Sequence, residues 1–374
     1  MTITEEEQIN AIALTLVPGI GHIIAKRLME TIGSATDVFA LRKELARRLP
    51  GISPRLVNAL DNPQARVRAE HEYAFARKNH IRCLTYHDDA YPTRLRECDD
   101  APTVLFYKGN ADLNARRIVN MVGTRRATEY GTHLCATFLH ELKALCPDIL
   151  VASGLAYGID IHAHRSALAN GLPTVGVLAH GLDRIYPYAH RQTAKEMIER
   201  GGLLTEYLSG TTPDRHNFIS RNRIVAGMSD ATIVVESAEK GGSLITADIA
   251  SSYHRDCFAF PGRTGDEYSR GCNRLIHDNK ATMLLSAEDL VLSMGWDTPS
   301  NAPKKKSNVQ RNLFPELTEE ERQIVAILER QGDLQINTIV VEADIPVRRM
   351  TSILFDLEMK GVIRVLAGGV YQLL

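Results

Sequence analysis

The sequence predicts an α/β protein: a Rossmann-like, mostly parallel sheet at the centre, a helical domain before it and a winged helix after it. Three observations carry this. Between about residues 80 and 295, short and nearly continuous apolar runs alternate with helix-length or loop-length segments, the rhythm of a parallel sheet covered on both faces. Residues 8 to 78 keep apolar side chains at three-to-four spacing and hold no strand-like run. Beyond a polar stretch at 297–316, the chain has room for three helices and a short hairpin. The expected domains are therefore 1–78, helical; 79–296, the sheet; 297–316, a linker; and 317–374, the winged helix.

In the first domain, Leu16-Val17-Pro18-Gly19-Ile20-Gly21 precedes an amphipathic helix, and Leu49-Pro50-Gly51-Ile52-Ser53 precedes a second one. A helix, a tight Pro-Gly-Ile-Gly turn and another helix make a helix-hairpin-helix. The glycines permit unusual backbone angles, and the following helix start offers free N–H groups to a DNA phosphate. Ser53 replaces the second glycine in the later copy, which is the more degenerate. From Lys26 to Lys78 there are 11 Lys or Arg against six Asp or Glu, enough for a basic face in a chain of net charge −1. The alternative is a docking domain that kept the turn and lost the DNA contact.

Seven strands are expected in the core, at 118–122, 149–152, 174–178, 203–205, 232–235, 257–260 and 282–285. The first runs into Gly123-Thr124-Arg125-Arg126, a strand-to-helix turn where α/β sheets receive phosphate. Neither G-x-G-x-x-G nor a Walker sequence is present, so no nucleotide cofactor is expected. Paired arginines suit a phosphate on a polymer better. Two more glycine turns, Ser153-Gly154-Leu155-Ala156-Tyr157-Gly158 and Gly241-Gly242-Ser243, should reach the same carboxyl edge, where open α/β sheets bind ligands. Before the run at 224–228 lies a cluster with Arg215, Phe218, Arg221, Asn222 and Arg223. Arginine there would meet phosphate, phenylalanine would stack on an unpaired base, and Asn222 would read a base edge or satisfy a buried turn. A solvated helix start with Phe218 in the core is the plainer alternative.

Catalytic candidates are weak. His162 and His164 are two apart, so a helix points them to different faces, and no acidic or cysteine partner completes a metal set. Six cysteines lie far apart without a C-x-x-C pair, which reads as buried free thiols. No G-x-S-x-G elbow occurs. The N-terminus carries Glu5, Glu6 and Glu7 and no apolar run, so no signal peptide is expected. No segment approaches the ~20 apolar residues of a membrane span, and a cytoplasmic, non-enzymatic protein is the expectation.

In the last domain, Thr318 with Glu319, Glu320 and Glu321 starts a helix with a good N-cap. Segments 318–331, 336–344 and 347–360 and the hairpin that follows read as a winged helix. Arg348 and Arg349 suit groove or phosphate contacts, whereas the acidic residues weaken that case.

Together these segments resemble the DNA-processing protein A (DprA/Smf) family. VGTRRATEYG, SGLAYGIDIHAHRSAL, GVLAHGLDRIYPYAH, FISRNRIVAG, KGGSLITADIA and FAFPGRTGDEYSRGCNRLI stand in family order over most of 118–280. The resemblance implies a helix-hairpin-helix (SAM-like) domain, a Rossmann-like core and a winged helix. It also implies single-stranded DNA binding without catalysis, loading of RecA recombinase, and a homodimer formed near 257–285. It places DNA contacts at Gly123, Thr124, Arg125, Arg215, Phe218, Arg221, Asn222 and Arg223; Arg126 and the turn residues Gly154, Gly241, Gly242 and Ser243 join them as expected contacts from their place at the carboxyl edge. Two departures stand out: Tyr188 sits where some relatives are basic, and Ile219 replaces the usual proline. A Rossmann-like phosphoribohydrolase would need P-G-G-x-G-T-x-x-E, of which 240–248 keeps only the glycine pair. A winged-helix transcription regulator would bind duplex instead.

Overall fold

The computed structural model describes residues 4–49, 52–296, 317–366 and 370–373. The expected linker at 297–316, the Pro50-Gly51 pair of the second hairpin copy and Gly369 of the last hairpin lie outside the described residues. The chain divides into two compact units, the division falling within 297–316.

The larger unit is built on a nine-stranded sheet among the described residues. Its strands are β1 (Arg82–Thr85), β2 (Val104–Gly109), β3 (Ile118–Val122), β4 (Leu150–Ser153), β5 (Thr174–Val177), β6 (Gly201–Thr205), β7 (Ala231–Val234), β8 (Asp256–Ala259) and β9 (Thr282–Met283). They lie in the order β1-β2-β6-β5-β4-β3-β7-β8-β9. From β6 to β9 every neighbouring pair is parallel; β1 and β2 join antiparallel at the other edge. The seven expected strands are all present, each within two residues of its expected limits. The first two were not expected. β1 is ordered by pairing with β2, and β2 by pairing with β6, about a hundred residues downstream.

Period-two alternation divides the core between the sheet's faces. Val119 and Met121 pack with Phe138, Leu139 and Leu142 of the helix Glu129–Leu145. Ile118 turns the other way, onto Ile224 and Val225 of the helix Arg215–Gly227. Burial on both faces is why these strands read as unbroken apolar runs. From β3 the chain adds β4, β5 and β6 to one side; it then crosses back along Arg215–Gly227 to place β7 on the other. The strand order therefore reverses between β3 and β7, and a crevice opens at their carboxyl ends.

The first hairpin forms as expected, with helices Glu5–Thr15 and His22–Ile32 joined by a turn in which Gly19 adopts φ +86°. Its second helix is turned inward. Lys26 is buried and donates to the Cys98 carbonyl at 2.8 Å, and His22 Nε2 lies 3.2 Å from the buried Glu206. Much of the basic surplus is paired internally: Arg42 with Asp61, Arg66 with Glu6 and Glu70, Arg68 with Glu72, Arg77 with Glu5. Glu72, itself buried, accepts from the Ser209 N–H at 2.9 Å. These contacts make the segment a docked part of the larger unit.

The smaller unit packs the helices Glu319–Gln331, Ile336–Ala343 and Val347–Met359 around Ile324, Leu328, Ile339, Met350, Leu354 and Leu357. The strands Leu334–Gln335 and Ile363–Leu366 flank Val370–Leu373, completing a winged helix. Thr318 and Glu321 form a capping box. Arg349 is spent on Glu320 at 2.9 Å, leaving Arg348 exposed. Among the described residues of the whole chain, no helix is long and apolar enough to cross a membrane.

Candidate nucleic-acid interface

Parallel strands bring the turns after β3, β4, β5 and β7 to one edge of the sheet. Two of these turns touch. A side chain at Gly158 (φ +75°) would run into the backbone of Thr124 and Arg125, so only glycine allows the close approach. The helix Ile159–Ala169 begins there, and its first N–H donates to the Thr124 carbonyl at 3.1 Å. Leu155 is fully buried at φ +55°, a left-handed backbone uncommon for leucine. Its carbonyl accepts from His190 Nδ1 at 2.8 Å.

Two amides of the first turn are already bonded within the protein, so the turn is not the bare phosphate cradle expected. Thr124 N–H donates to the Glu236 carbonyl at 2.7 Å, and Arg126 N–H to Thr124 Oγ1 at 3.1 Å. The buried Glu236 carboxylate accepts from the Thr128 N–H at 3.0 Å and hydroxyl at 2.5 Å. It thus occupies the start of the helix Glu129–Leu145, where an anion would otherwise be favoured. Gly131 leaves the room for it. Attraction for a polyanion at this turn falls to the side chains Arg125 and Arg126, both exposed.

Arg125 lays its guanidinium over the Phe218 ring, 4.9 Å from the centroid. Phe218 is half-buried, and Tyr186 lies against it with centroids 6.0 Å apart and planes at 54°. Beneath is Arg221, buried, which donates to the Val177 carbonyl at the end of β5 and packs against the bare α-carbon of Gly154. Its counter-charge is the buried Asp160, which accepts from the Gly154 N–H at 3.2 Å and the Ala156 N–H at 3.3 Å. Burial pushes the Asp160 carboxyl up and the Arg221 guanidinium down, and each charge opposes the shift of the other.

Arg215 is the first residue of its helix, capped by Asp214, and is exposed. A cation there opposes the helix dipole, a local disadvantage that an anionic ligand would remove. Asn222 is half-buried, and its side chain makes no hydrogen bond to a described residue.

Arg223 departs from the expectation of a shared pocket. Two residues from Arg221 on a helix, it is turned through about 200° and donates to Glu206 and, at 2.6 Å, to the Asp100 carbonyl. It is a buried anchor of the helix. Gly241, Gly242 and Ser243 share the carboxyl edge, but Ser243 Oγ donates inward to Ser237 Oγ at 2.9 Å, and a side chain at Gly241 would meet that same hydroxyl. Tyr186, Tyr157 and Glu236 were not anticipated.

The two histidines on the helix Ile159–Ala169 differ: His162 is half-buried and His164 internal. His164 is fully buried, hydrogen-bonded through Nδ1 to Thr174 Oγ1 at 2.7 Å, and burial pushes it down to about 3. Among the described residues no group of three His, Cys, Asp or Glu could hold a metal ion. All six cysteines are buried and free, and burial raises Cys135 and Cys272 to about 12, far from reactive thiolates.

Known proteins place this architecture. The family model of DNA recombination-mediator protein A matches residues 82–295, and that of the DprA winged helix domain matches 312–369. Protein Smf of Synechocystis sp. is 33% identical over 293 residues, covering 77% of this chain and 73% of that protein. DNA processing protein DprA of Streptococcus pneumoniae is 39% identical over 204 residues, covering 54% and 71%. The X-ray structure of DprA from that organism superposes with a TM-score of 0.59 at 30% identity, covering 78% of this chain and 98% of that one. DNA processing protein A from Helicobacter pylori, whose structure was described for its single-stranded DNA binding mode, superposes at 0.52 with 27% identity over 57% and 95%. On the span of the family match and the agreement of fold, the chain belongs to the DNA recombination-mediator protein A family.

Proposed function

We propose that this chain binds single-stranded DNA at the carboxyl edge of its sheet, shields it and hands it to RecA recombinase, with no covalent step. The observation that carries the reading is the cluster of Arg125, Phe218 and Tyr186 above the buried Arg221, where charge and aromatic surface meet. Cations neutralise phosphate while aromatic rings accept unpaired bases, a pairing suited to single strands. Arg126, Arg215 and Asn222 extend the contact; Gly123, Thr124, Gly154, Gly241, Gly242 and Ser243 shape the turns; Arg223 holds the helix. Met283 and Leu285 are exposed on and just beyond β9, and this edge is the proposed homodimer face. Sedimentation is expected to give twice the chain mass, and Leu285→Glu to give the monomer; a monomeric wild type would rule this out.

The test is binding of labelled oligo-dT and of a matched duplex. Oligo-dT is expected to bind more tightly, with a log–log salt slope of about −0.7 per phosphate contacted. Arg125→Ala is expected to lose roughly ten-fold or more in affinity and about one phosphate's worth of slope, with unfolding unchanged. RecA ATPase on the coated strand should start sooner with the protein than without it. Preference for duplex, indifferent to Arg125, would transfer the activity to a duplex-binding regulator read through the winged helix.

A further inference from the structure

We infer that Tyr186, rather than Phe218, presents the free stacking surface, so that the ligand of this edge is recognised by its bases as well as its phosphates. The inference rests on the single-stranded DNA reading. Phe218 already has Arg125 over its face at 4.9 Å and Tyr186 beside it at 6.0 Å. A base and the Arg125 guanidinium do not fit over the same face of one ring. Tyr186 is 46% exposed, and its hydroxyl makes no hydrogen bond to a described residue.

The backbone that carries the ring is also held in place. Tyr186 N–H donates to His180 Nε2 at 3.2 Å, and His180 Nδ1 donates to the Gly181 carbonyl at 2.9 Å. That pair of bonds requires the neutral ring with its proton on Nδ1, and burial lowers the tendency of His180 to take a second proton. The loop is thus fixed at neutral pH while the aromatic face stays open. Tyr157, 48% exposed on the adjacent turn, leans edge-on against His190 at 5.0 Å. Tyr188, though 74% exposed, is engaged by Arg191, which donates to its hydroxyl at 3.3 Å.

The experiment compares wild type, Tyr186→Ala, Tyr186→Phe and Tyr186→Trp on oligo-dT and on an abasic strand of equal length. Tyr186→Ala is expected to weaken oligo-dT binding by roughly 5- to 150-fold with the salt slope unchanged, and to bind the abasic strand as wild type does. Tyr186→Phe should bind like wild type. Tyr186→Trp should bind at least as tightly and lose fluorescence on oligo-dT, read against the single native tryptophan, Trp296. Wild-type affinity of Tyr186→Ala for oligo-dT overturns the inference; so does an equal loss on the abasic strand, because Tyr186 would then only brace Phe218 and Arg125. Failure of the wild type to bind oligo-dT overturns the underlying reading instead.

Discussion

Replacing Arg223 with alanine is expected to destabilise the larger unit by roughly 3–5 kcal/mol, the usual loss when one partner of a buried ion pair is removed. The Glu206 side chain is 6% exposed, and Arg223 is the arginine it pairs with. Its Oε1 already has no hydrogen-bond partner, and burial pushes the carboxyl above its ordinary range. His22, at 3.2 Å, does not replace the arginine, because burial holds it down to about 4 and therefore neutral at pH 7. Urea denaturation should show the midpoint falling at unchanged slope. The double variant Arg223→Met with Glu206→Gln should recover much of the loss, since no charge then stays buried alone. A loss below about 1 kcal/mol for Arg223→Ala would mean that the pair is solvated and anchors nothing.

That anchor shows where sequence reasoning reached and where it stopped. Seven strands were legible because burial on both faces leaves apolar runs such as that of Ile118–Val122. β1 and β2 were not, because Arg82–Thr85 opens on an exposed arginine and is ordered by pairing with Val104–Gly109, itself paired with β6. The first hairpin was legible in Gly19, whose φ of +86° suits glycine. Its docking was not, since the residues that dock it are a lysine and a histidine, polar types that carry no periodic signal. Their partners, the Cys98 carbonyl and Glu206, lie 72 and 184 residues away in the chain.

At the candidate site, residue types were legible and directions were not. Arg125, Phe218 and Arg221 come together because the turn after β3 and the start of the helix Arg215–Gly227 lie at one edge, and that follows from a parallel sheet. The split between Arg221 and Arg223 was readable from their spacing alone, for the same reason that His162 and His164 take different surroundings. Glu236 was hidden: a single carboxylate at the end of an apolar strand has no motif, yet it fills the helix start that glycine and threonine seemed to leave open to phosphate. Tyr186 was hidden too, since its loop has no period, and its value lies in standing 6.0 Å from a phenylalanine 32 residues on.

A single methyl group at position 154 is expected to remove most of the affinity for single strands. A β-carbon on Gly154 would overlap the Arg221 guanidinium. Gly154 does not adopt a positive φ, so alanine strains no backbone torsion and the conflict is one of space. What gives way is the end of a flexible side chain. Arg221 leaves the Val177 carbonyl and its place beside Asp160, at a folding cost of about 1–3 kcal/mol. Affinity for oligo-dT should fall roughly ten-fold or more with the salt slope little changed, because Arg221 is buried and braces the edge rather than meeting a phosphate. The decisive comparison is with Arg221→Ala and the double variant. If Gly154→Ala acts by displacing Arg221, the double variant binds no more weakly than Arg221→Ala alone, a strongly non-additive cycle. Additive losses would mean that Gly154 meets the strand through its own backbone, independently of Arg221. Wild-type affinity in Gly154→Ala would remove the buried arginine from the interface altogether, leaving Arg125 and its aromatic neighbours to bind at the surface.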